Sequence, residues 1–160
     1  MIFNKIQWFV SVALLLVVCL VSCNPTDVET HVDNVSIDIA IEQVSAGYAH
    51  VSFTTNKKAF YLTGIHPVRK DIENIHKVAK QFMMLALDSA YVDYLYWRNQ
   101  QLQELSPFVA DFASYALKYS NTDHYFTMLR PSTDYWVYAF VVNPTTNKPA
   151  GTLFIKTITT

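Results

Sequence analysis

The chain has 160 residues, 51% of them apolar, and carries 12 Lys and Arg against 13 Asp and Glu. This balance excludes a basic nucleic-acid-binding surface and an acidic tail. Only three glycines occur, Gly47, Gly64 and Gly151, and they are too far apart to build a phosphate-cradling loop or a dinucleotide fingerprint. We therefore expect no nucleic-acid partner, no nucleotide and no cofactor.

The first 22 residues have the features of a secretory signal. Lys5 follows a short N-terminal run, and residues 6–21 are almost wholly apolar. A membrane-spanning anchor is the alternative, because about 17–25 apolar residues can cross a bilayer. The end of the segment favours the signal, since residues 20–23, with the sequence LVSC, resemble the lipobox of bacterial lipoproteins. The resemblance implies that residues 1–22 are removed and that the sulfur of Cys23 carries a diacylglyceryl group.

A lipid on this cysteine would hold the protein at a membrane without the domain spanning it. Cys19 lies in the removed segment, so a disulfide, a cysteine-built zinc site and a cysteine nucleophile are excluded. Asn24 is not the aspartate that retains enterobacterial lipoproteins at the inner membrane, and we expect the outer membrane. Asp27 and Glu29 resemble the acidic residues that accompany surface export in some Bacteroidota lipoproteins, so the periplasmic face and the cell surface both stay open. Residues 23–34 are interpreted as a tether.

A domain is predicted over residues 35–160, and it begins with three strands. Apolar and polar residues alternate there with a period of two, which is typical of strands with one buried face. A turn at residues 45–47 separates the first two strands, and Gly64 and Pro67 end the third. The three strands are predicted at residues 35–42, 49–53 and 59–65.

The period then changes to three and four, which predicts a helical segment over about residues 68–121. A first amphipathic helix is expected over about residues 72–86 and a second over about residues 90–104. Ser106 and Pro107 supply an N-cap and a first-turn proline for a third helix, which ends near residue 120.

After the helical segment the period returns to two. Strands are predicted at residues 125–129, 135–142 and 152–158. A long turn over residues 143–151 joins the last two, and we interpret it either as a binding loop or as a plain connection. Strands on both sides of a helical block indicate a mainly β domain rather than an alternating α/β fold.

One short motif identifies the kind of β-sandwich. The residues that alternate before the fifth strand resemble the tyrosine corner of fibronectin type III domains, in which a buried tyrosine bonds back to the corner. They are Leu129, Pro131, Thr133 and Tyr135. The resemblance implies an immunoglobulin/fibronectin type III-like sandwich with a two- to three-helix insertion between strands C and E. The mature chain as a whole is similar to fibronectin-like surface lipoproteins of Bacteroidota. Many of those relatives have a second domain, and the resemblance does not carry the activity of that domain over to this chain.

The opposite face of the fifth strand is also hydrophobic. Trp136, Tyr138 and Phe140 would form an exposed stripe if nothing covered them. Because the helical segment leaves from the neighbouring third strand, we expect its helices to cover this face. The contacts are predicted to come from Phe82, Leu95 and Phe112.

The strongest surface candidate for ligand binding is an aromatic run in the second predicted helix. Tyr91, Tyr94 and Arg98 share one side of the helix by spacing, and Trp97 lies beside them, whereas Val92, Leu95, Tyr96 and Leu102 take another side. Exposed rings next to a guanidinium can stack on sugars or anchor a protein partner. The alternative is that the rings simply fill the space between helices.

Catalytic and metal sites find little support in the sequence. Glu73 and His76 have a spacing that is used for di-iron ligation, but only one copy is present, and a solvated helix face is favoured. No glycine elbow presents a serine nucleophile. We therefore expect no catalytic residue and no metal ligand.

Taken together, the patterns favour a lipid-anchored, non-enzymatic module that binds a protein or a glycan outside the cytoplasm. The alternative is a structural or assembly subunit of an envelope complex, whose helical segment is an interface. A hydrolase is a third and weaker alternative.

Overall fold

The computed structural model describes residues 34–104 and 110–160 of the chain. It contains six strands, two α-helices and one 3₁₀ turn. In chain order the elements are β1 (Ile37–Ser45), β2 (Tyr48–Thr55), β3 (Tyr61–Pro67), a 3₁₀ turn (Ile75–Val78), α1 (Ala79–Gln103), α2 (Phe112–Ala116), β4 (Thr122–Thr127), β5 (Asp134–Asn143) and β6 (Lys148–Thr159). The six predicted strands are therefore all present, with ends displaced by no more than about four residues.

The strands form two antiparallel sheets. One sheet has the order β1-β2-β4 and the other has the order β3-β5-β6. Hydrophobic side chains of both sheets meet in one buried core, so the domain is mainly β, as expected, and has the layering of a β-sandwich.

One face of β5 lies in this inner core. Tyr135, Val137, Ala139 and Val141 are all buried there, against residues of β1 and β2 that include Ile39. The register of β5 is fixed because a shift by one residue would turn every one of these side chains outward.

The other face of β5 carries a second hydrophobic layer. Trp136 and Phe140 are 6% and 0% exposed, and α1 and α2 supply the covering side chains. Phe82 contacts Trp136 edge-on, with 6.1 Å between ring centroids, and Phe112 belongs to the same buried cluster. The prediction that the helical segment covers this face is confirmed for these two residues. It is wrong for Leu95, which is 42% exposed.

The helical segment is arranged differently from the prediction. Residues 79–103 form one continuous helix in place of the two predicted, because this stretch holds no glycine or proline to interrupt it. The 3₁₀ turn precedes α1, and the Asn74 side chain caps it by accepting a hydrogen bond from the backbone N–H of His76 at 2.9 Å. The last helix is short and is capped by Asp111 rather than by Ser106, which lies outside the described residues together with Pro107.

The long turn predicted over residues 143–151 is mostly strand. β6 already begins at Lys148, so only residues 144–147 form the turn. The Asn143 carboxamide oxygen accepts hydrogen bonds from the backbone N–H groups of Thr145 and Thr146, at 2.9 and 3.1 Å, and thereby closes it. Pro149 is tolerated in the strand because β6 is at the edge of its sheet.

Candidate functional site

A cavity of about 500 Å³ opens between β3, the first half of α1 and the chain that connects them. This volume is within the usual range for small-molecule sites. Its apolar walls include Ile65, Ile72, Phe82 and Leu85, and its polar groups belong to His66, Arg69, Asp71, Gln81, Ser89 and Tyr138. The cavity therefore combines ring and aliphatic surfaces with several hydrogen-bonding groups.

Tyr138 forms one wall of the cavity because of a glycine on the neighbouring strand. Tyr138 on β5 pairs with Gly64 on β3, and the phenol lies directly over Gly64, in the space that a Cβ atom would need. Phe82 packs edge-on against the ring, with 5.0 Å between centroids. Burial raises the pKa of Tyr138 to about 12, so its hydroxyl stays protonated at physiological pH and can donate a hydrogen bond.

An ion pair lies at the rim of the cavity. The guanidinium of Arg69 donates to both carboxylate oxygens of Asp71, with N–O distances of 2.6 and 3.1 Å. The hydrogen bond from Arg69 holds the pKa of Asp71 below its ordinary value. Both side chains are more than half exposed, so the pair adds little to stability but presents fixed donors and acceptors at the rim.

His66 lies at the end of β3, where it contacts the rings behind the cavity. Its Nδ1 is 2.6 Å from the carbonyl oxygen of Pro67, and since a carbonyl only accepts, Nδ1 carries the proton. The imidazole stacks on Trp136, with 6.5 Å between centroids. This arrangement fixes the ring and leaves Nε2 as the remaining polar atom of the side chain.

The aromatic run predicted as a ligand surface mainly fills the space between α1 and α2. Tyr94 is 7% exposed and its hydroxyl donates to the carbonyl oxygen of Ala110 at 3.1 Å, so placing it on an outward face was wrong. Trp97 is half-buried, 5.0 Å from the Tyr115 ring. Tyr91 and Arg98 are exposed, so only these two of the four could meet a ligand.

The solvent-facing side of α1 is instead the side that carries Val92, Leu95, Tyr96 and Leu102. Its large apolar side chains are 42–66% exposed. We call these residues the α1 stripe: Met84, Leu85, Val92, Leu95, Tyr96 and Leu102. The α1 helix is thus hydrophobic on two opposite faces, only one of which packs on the sheet.

The tyrosine corner has the geometry that its motif predicts. Tyr135 is 4% exposed, and its hydroxyl oxygen accepts a hydrogen bond from the backbone N–H of Arg130 at 2.7 Å. Thr133 donates to the carbonyl oxygen of Pro131 at 3.1 Å, and the backbone N–H of Leu129 donates to the carbonyl oxygen of Gly47, in the turn between β1 and β2, at 3.1 Å. The motif therefore holds the chain between β4 and β5 and plays a structural part.

A serine, an aspartate and a histidine meet on the outer face of β2 and β4. The Ser52 hydroxyl donates to the Asp123 carboxylate at 2.6 Å, and His50 Nε2 is 3.6 Å from the same oxygen. In a hydrolytic triad the histidine lies between the serine and the acid, so that it can take the serine proton. Here the aspartate is in the middle, and this group cannot activate Ser52 in that way.

Metal and membrane features can be judged only over residues 34–104 and 110–160. Within them, no group of three or more His, Cys, Asp or Glu side chains comes together to hold a metal, and Glu73 and His76 are both exposed. No helix in these ranges is long and apolar enough to cross a bilayer. Cys23, the predicted signal and most of the predicted tether lie outside the described residues.

Comparison with known proteins assigns this chain to no family, so its function follows from the fold and the cavity. Neither a scan of protein-family models nor searches of curated proteins and of solved structures find a match to this chain.

His124 on β4 makes the stability of the sandwich sensitive to pH. Its Nδ1 is 3.2 Å from the hydroxyl of Thr63 on the other sheet. Burial lowers the pKa of His124, and the charge of Lys118 lowers it further. The unfolded chain then binds the proton more readily than the folded one. The stabilising contribution of neutral His124 is therefore complete above the unfolded pKa of about 6.5 and is lost as the pH falls through the folded pKa.

We expect the free energy of unfolding to decrease between about pH 7 and pH 5. A His124→Gln variant should show a smaller decrease over the same range, because it keeps a polar side chain but cannot be protonated. Urea denaturation of both proteins at several pH values measures this difference, in which the contributions of the other histidines cancel. Parallel pH profiles for the two proteins would contradict the assignment.

Proposed function

We propose that this protein is a lipid-anchored lipoprotein of the bacterial outer membrane whose domain binds the end of a glycan in the cavity, without catalysis. The observation that carries the proposal is the cavity itself, because it joins aromatic and aliphatic walls to a rim of fixed polar groups. The LVSC sequence before and at Cys23 supports the anchor.

The proposed fold is of the immunoglobulin/fibronectin type III kind. The strand orders β1-β2-β4 and β3-β5-β6 correspond to the A-B-E and C-F-G sheets of such domains. The hydrogen bond between Tyr135 and the backbone of Arg130 adds the tyrosine corner. In this scheme the segment from α1 to α2 is an insertion between strands C and E, and the cavity is built from strand C and the insertion.

A sugar residue fits the chemistry of the cavity better than an aliphatic ligand. Sugar rings present apolar C–H faces that can pack against Phe82 and the other apolar walls. Their hydroxyls both donate and accept, as do the Gln81 and Ser89 side chains, while Asp71 accepts and the Tyr138 hydroxyl can donate. A purely apolar ligand would bury these groups without partners.

The proposal is tested with a panel of bacterial and host saccharides and the full chain extracted in detergent. We expect at least one saccharide to bind the wild-type protein. Tyr138→Phe should weaken that binding by up to about tenfold, because it keeps the ring and removes one hydrogen bond of about 0.5–1.5 kcal/mol. Tyr125→Phe, on an exposed tyrosine of β4, is the matched control and should change nothing.

Two results would contradict this function. One is binding that is equally strong in both phenylalanine variants, since the cavity would then not be the site. The other is binding only to peptides, which would agree with a binding module but contradict a glycan as its ligand.

The second candidate function, an assembly subunit of an envelope complex, is favoured by a different observation. The α1 stripe is an exposed apolar surface of the kind that marks protein contacts. It does not depend on whether the cavity binds a ligand.

A further inference from the structure

The α1 stripe is long and is not needed for the packing of the described fold. Met84 and Leu102 mark its ends, and with a rise of 1.5 Å per residue they are about 27 Å apart along the helix. The opposite face of α1, which includes Met83, Leu87 and Tyr94, is the one buried against the rest of the domain. Six large apolar side chains exposed on one side of a helix, within about 120° of its circumference, indicate a protein contact.

The order of residues along α1 indicates what this contact is. Counted from Asp93, apolar residues of the stripe lie nine positions away on each side, at Met84 and Leu102. A negative and a positive charge lie five positions away on each side. These are Asp88, which lies near the middle of the stripe, and Arg98, which lies on its flank, about 90° around the helix from that middle.

A two-fold axis at the level of Asp93 would therefore match the helix with an antiparallel copy of itself. Met84 would lie level with Leu102 of the second copy, and Asp88 level with its Arg98. Asp93 would not meet its own copy, because helical geometry places its side chain about 130° around the helix from the middle of the stripe. A surface that is complementary to itself in this way is what an isologous dimer interface requires.

We propose that the protein forms a homodimer in which the α1 stripes of two copies pack antiparallel and Asp88 of each copy pairs with Arg98 of the other. The charges favour a second copy over an unrelated protein as the binding partner, since each copy supplies both the acidic and the basic member of the pair. Such pairs fix orientation and register more than they add affinity. The dimer goes beyond the proposed ligand binding and does not rest on it, and it assigns the α1 stripe to a second copy in place of another subunit of an envelope complex.

Disulfide cross-linking in cells tests this arrangement with the full chain. The sequence has only two cysteines, Cys19 in the predicted signal and the predicted lipid site Cys23. A disulfide-linked dimer that appears only after a cysteine is added is therefore formed by that cysteine. Val92 is one residue from the proposed axis and is 63% exposed, so Val92→Cys should cross-link to its own copy under mild oxidation. Met84→Cys alone should not, because the two copies of Met84 would be about 27 Å apart along the helices. Met84→Cys combined with Leu102→Cys should restore the cross-link.

Charge reversal provides an independent arm of the test. In a background of Val92→Cys, the Arg98→Asp change should reduce the yield of disulfide-linked dimer several-fold, because it sets two acids against each other. Adding Asp88→Arg should restore the yield, since the pair is then reversed but complete. Both residues are exposed, so neither change threatens folding.

Three results would overturn the proposal. They are the absence of a Val92→Cys dimer in cells, a Met84→Cys cross-link as efficient as that of Val92→Cys, and an Arg98→Asp defect that Asp88→Arg does not repair. If Val92→Cys cross-links only to a different protein, the homodimer is also contradicted, and the stripe is then the binding surface for that protein.

Discussion

The Phe140→Ala variant is expected to lower the free energy of unfolding by about 3–5 kcal/mol. Phe140 is fully buried on the face of β5 that the helices cover, next to Trp136 and Leu153 in the same cluster. Removing the ring leaves a cavity between two layers that come from distant parts of the chain and cannot close over it easily. This expected loss is a large fraction of the 5–15 kcal/mol that typically stabilises a domain.

Urea denaturation followed by far-ultraviolet circular dichroism measures the loss in the detergent-extracted chain. Phe140→Leu should cost much less, because it keeps most of the buried volume. Tyr125→Ala removes an aromatic ring that is 58% exposed, and we expect it to cost about 1 kcal/mol or less. Equal losses for Phe140→Ala and Tyr125→Ala would show that the helices do not form a packed layer over β5.

The second large effect is expected at Gly64, where one methyl group should both destabilise the fold and reshape the cavity. The phenol of Tyr138 lies too close to the position that a Cβ atom at Gly64 would take, so Gly64→Ala forces the ring to move. Overpacking of this kind costs about 1–3 kcal/mol. The displaced ring would no longer form its wall of the cavity, so we also expect loss of saccharide binding.

Gly47→Ala is the matched control for this prediction. A Cβ atom at Gly47 would lie 3.7 Å from the carbonyl oxygen of Leu129, which is an ordinary van der Waals contact. We therefore expect a stability change within about 0.5 kcal/mol and unchanged binding. Similar behaviour of the two variants, in stability and in affinity, would contradict the close approach of Tyr138 to Gly64.

The strands and the covered face of β5 were predictable because their signals are local. A period of two is enough to assign Tyr135 to the inner core and Trp136 to the other side. Two large apolar faces on one strand then require a cover, and only the helical segment was available to provide it. These predictions needed no knowledge of which residues meet across the fold.

The orientation of α1 could not be predicted in the same way. Tyr94 and Leu95 are neighbours on a helix with apolar residues all round, so spacing alone gives no preferred face. What chooses between them is the partner surface: Tyr94 fits against Phe112 of α2, with 5.8 Å between centroids, and Leu95 is left outside. The exposed stripe is a property of tertiary packing.

The cavity was also beyond sequence reasoning. Gly64 and Tyr138 are far apart in the chain, and only the pairing of β3 with β5 brings them together. Phe82 was expected to contact the sheet, but the space beside it depends on the course of the connection that holds Arg69 and Asp71. A glycine opposite a tyrosine in adjacent strands is a signal that could have been found, had the register been known.

The central claim, that the domain binds its ligand in the cavity between β3 and α1, is tested most directly by chemical-shift mapping of the isotope-labelled protein with a bound saccharide. The account predicts that the largest shifts fall in Ile65–Ile72 and in the first half of α1, around Phe82 and Ser89. Shifts centred on the turn at residues 144–147, or on the outer face of β2 and β4 around His50, would contradict it.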